Sequence, residues 1–137
     1  MALVVDASVA LGWIARTQAT ALTDAALSVV THAFGCVPAY FGIEVARALR
    51  THERRNLLTA EMVDIGLAQL RALPLREDSS KTFDRAPEIV ALARRHGLRV
   101  ADAAYLELAL RTALPLATRD APLAHAANAA GATLFTT

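Results

Sequence analysis

LVVDASV, residues 3–9, runs three apolar side chains directly into Asp6. A continuous apolar run bounded by an acid is typical of a short strand that is buried on both faces in a parallel sheet. Two interpretations of Asp6 are open at this point. It caps the helix that follows the strand, or it belongs to a group of acids that meet where several strands end.

Strand patterns alternate with helical patterns along the rest of the chain, and most of the helical ones span ten or more residues. This alternation predicts an α/β fold whose mainly parallel sheet is covered by helices on both faces. No repeat or linker is evident, so we expect residues 1–137 to form a single domain. The predicted strands are 2–5, 35–38, 73–77, 115–118 and 133–136, and the predicted helices are 8–15, 20–31, 39–55, 59–70, 83–96, 100–111 and 122–131.

The composition narrows the class of protein. Of 137 residues, 55% are hydrophobic and 20% are charged, so disorder is not expected and the apolar surplus favours a homo-oligomer. The formal net charge of +1 is too small to indicate nucleic-acid binding by itself. The only cysteine, Cys36, argues against disulfides and a cysteine-rich zinc site and fits a reducing cytoplasm. No secretory signal is expected, since Asp6 interrupts the N-terminal apolar run. No membrane span is expected either, since the longest charge-free stretch, 25–43, contains Thr31, His32, Gly35 and Pro38.

Four acids stand where an isolated carboxylate needs an explanation. Asp6 and Asp120 each follow a predicted strand, at the carboxyl edge where open parallel sheets bind ligands. Glu44 and Asp102 lie in predicted helices on faces that are otherwise apolar or small, where a lone charge is costly. Structural alternatives stay open: helix caps for Asp6 and Asp120. For Asp102 the alternative is a first-turn acid or an arginine salt bridge, and for Glu44 it is an ion pair with Arg47.

Four carboxylates at close range would not all stay ionised without a cation, since like charges raise each other's pKa. Ligation by oxygen alone, without a Cys or His cluster, favours Mg²⁺ or Mn²⁺ over Zn²⁺. Such an ion typically engages a substrate phosphate, which it polarises while lowering the pKa of a bound water. The acids therefore predict phosphoryl chemistry that uses one or two metal ions.

The segments VVDASV (4–9), EVARAL (44–49), VADAAYLELAL (100–110) and TRDAPL (118–123) resemble the four acidic segments of PIN-domain proteins, specifically the small VapC-type toxins of bacterial toxin–antitoxin pairs. The resemblance covers nearly the whole chain. It implies a three-layer α/β/α fold and a Mg²⁺- or Mn²⁺-dependent endoribonuclease that cleaves RNA, forms a homodimer and is neutralised by a cognate antitoxin. Carried over by position, its catalytic and metal-binding acids are Asp6, Glu44, Asp102 and Asp120, with Ser8 and Thr118 as nearby hydroxyls.

Two arginines are candidates for binding the substrate's phosphates. Arg119 stands beside Asp120, although it could equally pair with a neighbouring acid. Arg47 begins the basic run RALRTHERR, 47–55, which suits an RNA backbone or, alternatively, a solvated face or an antitoxin-binding surface.

The chain departs from the family pattern at two places. Arg47 stands where the family often has Asn, so the surroundings of Glu44 are expected to differ. Arg99 and Val100 stand where a Ser or Thr commonly caps the helix of the third acid, so this helix must begin in another way. The aromatic residues are expected in the core or in dimer contacts rather than as stacking platforms for bases; they include Trp13, Tyr40, Phe41 and Tyr105.

Two rival functions remain. A phosphatase of the Asp-nucleophile class needs a second Asp two residues after the first, and this chain has Ser8 there. A catalytically silent PIN-like module would keep the fold and act only by binding a partner. This alternative does not explain why all four acids are present.

Overall fold

Four short parallel strands form the centre of the computed structural model, which describes residues 1–137. They lie in the order β3-β2-β1-β4. The inner strand formed by Leu3–Val5 is fully buried, as its uninterrupted apolar sequence predicts. The strands are β1 (Leu3–Val5), β2 (Gly35–Val37), β3 (Leu75–Glu77) and β4 (Leu116–Ala117).

Seven helices connect the strands and cover the sheet. By their mutual contacts they fall into two groups, the first four and the last three, with the sheet between them. The predicted three-layer α/β/α architecture is confirmed. None of the helices combines the length and the apolar character that crossing a bilayer requires. The helices are α1 (Ala7–Ile14), α2 (Ala21–His32), α3 (Phe41–Arg54), α4 (Ala60–Ala72), α5 (Thr82–His96), α6 (Val100–Thr112) and α7 (Ala121–Ala130), with a 3₁₀ turn at Arg16–Gln18.

The order of the strands reverses next to β1. The chain moves outward from β1 to β2 and β3, and then returns to the other side of β1 to form β4. Such a reversal opens a crevice beyond the carboxyl ends of the two strands concerned. Asp6 follows β1 and Asp120 follows shortly after β4, so the topology alone brings these two acids to one rim.

Short polar side chains begin several helices, and glycine ends two of them. Asp6 and Asp120 are the N-caps of α1 and α7, which confirms the capping interpretation of both. Gly97 and Gly131 end α5 and α7 with φ of +64° and +84°, the left-handed conformation that glycine adopts without strain. The start of α6 is different, because its N-cap Arg99 makes no side-chain bond to the helix backbone.

The predicted bounds lie within two residues of the observed ones, except that one predicted strand is not formed. The strand predicted at 133–136 is a single β-bridge between Leu116 and Leu134, in which the Leu116 amide donates to the Thr133 carbonyl at 2.8 Å and the Phe135 amide donates to the Leu116 carbonyl at 2.9 Å. The helix predicted from residue 39 begins at Phe41, since the Phe41 amide donates to the Pro38 carbonyl at 3.0 Å and closes a turn first.

Helices α1 and α4 approach closely at Gly66. A Cβ atom built on Gly66 would lie 2.4 Å from Cγ2 of Ile14, which is far inside van der Waals contact. The close approach lets α4 pack against α1 and thereby fixes the first helical layer that carries Glu44 on α3.

We expect Gly66→Ala to destabilise the protein by about 1–3 kcal/mol, since the added methyl forces Ile14 or the helices apart. Gly42→Ala is the matched control, because no heavy atom lies within 4 Å of a Cβ at that helical position. Urea unfolding of both variants measures the difference. Equal stability of the two variants would contradict the close packing at Gly66.

Candidate active site

An open cavity of about 250 Å³ lies at the rim where β1 and β4 end. The structure brings to this cavity all four acids that were singled out in the sequence, although they come from the ends of two strands and from two helices. The four acids are Asp6, Glu44, Asp102 and Asp120, and the other polar residues in the lining are Ser8, Arg99 and Tyr105.

Asp6 is the most deeply buried of the four acids, with 4% of its surface exposed. Ser8 Oγ donates to its Oδ1 at 2.5 Å, Thr118 Oγ donates to its Oδ2, and the Val9 amide donates to Oδ1 at 3.1 Å. Burial raises the pKa of Asp6 to about 6, an effect that the charge of Glu44 increases and the three hydrogen bonds oppose. The hydroxyls predicted near the acids therefore orient one carboxylate that is costly to ionise.

Glu44 is held by Tyr105, which the sequence predicted in the core or in a dimer contact. The Tyr105 hydroxyl donates to Glu44 Oε1 at 2.5 Å, while the ring is 2% exposed. Burial and the hydrogen bond to Glu44 raise the pKa of Tyr105 far above its ordinary value, so this hydroxyl remains a donor. The sequence feature that could have identified this contact is the spacing of two residues. Tyr105 lies three residues after Asp102, which puts both on one face of α6.

The alternative of an ion pair between Glu44 and Arg47 is not realised. The Arg47 guanidinium donates to the Tyr40 hydroxyl and lies 5.6 Å from the centre of that ring. Both side chains are on the surface beside the cavity rather than in its lining. Glu44 is therefore left with a neutral partner and no direct cationic one.

Asp102 forms the salt bridge that was its structural alternative. Arg99 Nε lies 3.0 Å from Oδ2 and Arg99 Nη2 lies 3.4 Å from Oδ1, so the guanidinium reaches both carboxylate oxygens. The hydrogen bond and charge of Asp102 raise the pKa of Arg99, and the charges of Asp120 and Glu44 add to this effect. One guanidinium thus faces three of the four acids.

Asp120 has both of the roles that the sequence left as alternatives, helix cap and member of the acidic group. Its Oδ2 accepts from the Leu123 amide at 2.9 Å as the cap of α7, and its own amide donates to Thr118 Oγ at 3.0 Å. It also lines the cavity. Capping and membership of the acidic group are therefore compatible for Asp120, as they are for Asp6.

Arg119 and Arg47 do not line the cavity, and their contact with substrate phosphates stays a prediction. Arg119 Nε donates to the Ser8 carbonyl at 2.9 Å, and its guanidinium also donates to the Gln18 carbonyl. These bonds tie the end of β4 to α1 and to the 3₁₀ turn.

The donor set suits a hard divalent cation, since the lining offers carboxylates and no Cys or His. In the observed side-chain positions, no three His, Cys, Asp or Glu residues converge on one ion position. The contacts explain why: Arg99 covers both oxygens of Asp102, and Tyr105 holds one oxygen of Glu44. Direct binding of an ion to these carboxylates would require the side chains to move. Alternatively, water molecules, several of which Mg²⁺ commonly retains, would bridge the ion to the carboxylates.

Comparison with known proteins agrees with the fold. The model of the PIN domain family matches residues 3–129. Ribonuclease VapC3 of Mycobacterium tuberculosis, from strains CDC 1551 and H37Rv, is 36% identical over 125 residues, which cover 90% of this chain and 85% of the relative. The crystal structure of PAE2754 from Pyrobaculum aerophilum has the same fold, with a TM-score of 0.69 at 21% identity over 92% of this chain and 79% of that one. The chain therefore belongs to the PIN-domain family, as a VapC-type member.

Proposed function

We propose that this protein is a metal-dependent endoribonuclease toxin that hydrolyses RNA phosphodiester bonds. The observation that carries the proposal is the arrangement of Asp6, Glu44, Asp102 and Asp120 around one open cavity at the strand reversal. The ribonuclease name of the 36% identical relative supports the same activity.

The four acids would hold Mg²⁺ or Mn²⁺, one ion or two, with Asp6, Asp102 and Asp120 as the main ligands and Glu44 binding a second ion or acting through water. When bound, such an ion polarises a phosphodiester and lowers the pKa of a coordinated water. Ser8 and Thr118 fix the direction of the Asp6 carboxylate through their hydrogen bonds. Tyr105 fixes Glu44 in the same manner, so the chain supplies oriented oxygens before any ion arrives.

The proposed partners are RNA as substrate, a second copy of the chain in a homodimer, and a cognate antitoxin, all in the cytoplasm. Large apolar side chains exposed on and between α3 and α4, two helices that contact each other, support a protein partner. These exposed side chains are Ile43, Leu57, Met62 and Ile65.

The alternative of an Asp-nucleophile phosphatase lacks the second Asp, the acid that such an enzyme needs. Ser8 takes the position of the second Asp that this class requires, and its hydroxyl is bonded to Asp6. The catalytically silent module is the outcome that the following activity experiment would reveal.

We expect Asp6→Asn and Asp102→Asn to lower the rate of RNA cleavage at least about 100-fold, because each removes a charged ligand of a metal that contributes several kcal/mol to catalysis. The assay uses antitoxin-free protein, Mn²⁺ and a broad panel of RNAs. Asp64→Asn is the matched control, since Asp64 is an exposed acid on α4 outside the cavity. Full activity of the two site variants, or inactivity of the wild type on every RNA, would refute the proposal.

The raised pKa of Asp6 predicts how stability depends on pH without metal. Between the ordinary value of 3.8 and about 6, folded Asp6 binds a proton that the unfolded chain has lost, so the free energy of unfolding falls as pH rises through this window. In EDTA, Asp6→Asn should exceed the wild type by about 2–3 kcal/mol at pH 7, and the advantage should vanish near pH 4. Urea unfolding across pH measures this. An advantage that does not change with pH would contradict it.

Tyr105→Phe should lower kcat about tenfold, because Glu44 loses a hydrogen bond to a charged acceptor and with it a fixed orientation. Tyr40→Phe removes a comparable hydroxyl that bonds Arg47 outside the cavity, and we expect it to keep nearly full kcat. Steady-state kinetics of both variants at saturating Mn²⁺ compares them. Equal rates would show that Tyr105 has only a packing role.

A further inference from the structure

The guanidinium of Arg99 takes the position at Asp102 that a cation would need. Its two contacts, Nε to Oδ2 at 3.0 Å and Nη2 to Oδ1 at 3.4 Å, engage both oxygens of the carboxylate. Arg99 is also the only basic residue in the lining of the cavity, opposite four acids. Any other cation that binds Asp102 directly must therefore break this pair or share it.

Arg99 is held by little else. Its side chain is 79% exposed, whereas that of Asp102 is 12% exposed, and it makes no hydrogen bond that would cap α6. The two residues are three positions apart across the first turn of the helix, so the guanidinium can leave without moving the backbone. The contact is thus an electrostatic one that a solvated side chain makes and can release.

The strength of such a contact sets the size of its effect. Ion pairs with an exposed partner are weak, commonly below a tenfold effect on an equilibrium, because water screens the charges and the side chain loses freedom. A divalent ion has twice the charge of a guanidinium and, unlike it, can bridge several carboxylates at once. The metal is therefore expected to displace Arg99, but at reduced affinity.

We propose that Arg99 is the internal counter-ion of the metal-free site, which competes with the divalent ion for Asp102 and thereby lowers the metal affinity of the enzyme. The inference rests on the metal site of the proposed function, and it adds a regulation of that site by a residue of this chain. Removal of the guanidinium should leave the four acids without a resident cation, so they should bind an added one more tightly.

Calorimetric titration of metal-free protein with Mn²⁺ tests the inference without any measure of activity. Relative to the wild type, Arg99→Gln should bind Mn²⁺ about three- to tenfold more tightly, the range expected for loss of one partly screened charge. Arg99→Lys should fall between the two, since an ammonium keeps the charge but cannot reach both oxygens with a planar fork. Arg16→Gln is the matched control, because Arg16 is an exposed arginine paired with Asp24 away from the cavity, and its Kd should equal that of the wild type.

Thermal unfolding in EDTA and in Mn²⁺ adds a second readout and reports whether each variant is folded. The rise in Tm on adding Mn²⁺ should be larger for Arg99→Gln than for the wild type, by linkage to the tighter binding. If Arg99→Gln does not unfold cooperatively, Arg99→Lys decides the question by the same two measurements.

The outcomes separate the inference from the function on which it rests. If the wild type binds Mn²⁺ and the Arg99 variants bind it equally or more weakly, the competition is refuted while the metal site stands. If neither the wild type nor the variants bind Mn²⁺, both the inference and the metal-dependent function are refuted. Binding by Arg99→Gln alone would support the competition in its strongest form.

Discussion

The crowding of carboxylates at the carboxyl edge of a parallel sheet is the constraint on which the rest of the structure depends. Asp6 follows the most buried strand directly, so its charge lies where water is scarce and where ionisation is costly. The fold does not avoid this cost by placing the acid elsewhere. It surrounds Asp6 with donors from α1 and from the end of β4, and the same donors determine where its oxygens point.

The acids at the strand ends also have a local structural task. Asp6 and Asp120 each cap the helix that follows, so replacement of either would affect both a helix start and the cavity. Glu44 and Asp102 have no such task. Their carboxylates instead depend on partners from within the site, Tyr105 for the first and Arg99 for the second. Stability and chemistry are therefore coupled at the strand ends and more separable on the helices.

The sequence predicted the parts of the site that follow from chain direction. A parallel sheet and an acid after each of two predicted strands were sufficient to predict Asp6 and Asp120 at one edge, since parallel strands all end at the same edge. It did not predict Tyr105, because an aromatic residue on an apolar helical face has the same pattern whether its hydroxyl is satisfied by a carboxylate or by nothing. It did not predict the hydrogen bonds of Arg119 either, since contacts between a side chain and distant backbone carbonyls leave no periodic signal. The strand expected at 133–136 forms only one bridge, to Leu116.

Without metal, the site satisfies its acids in three different ways. Burial raises the pKa of Asp6, a neutral hydroxyl donates to Glu44, and an exposed guanidinium pairs with Asp102. Each of these arrangements costs less free energy than bare charges would. Each would change to some degree if a divalent ion bound the same oxygens. Because proton, hydroxyl and guanidinium act on one cavity, a change in any one alters the electrostatic field that an ion would encounter there. Under the proposed metal dependence, metal affinity would therefore be set by the balance among these contacts as much as by the four acids themselves.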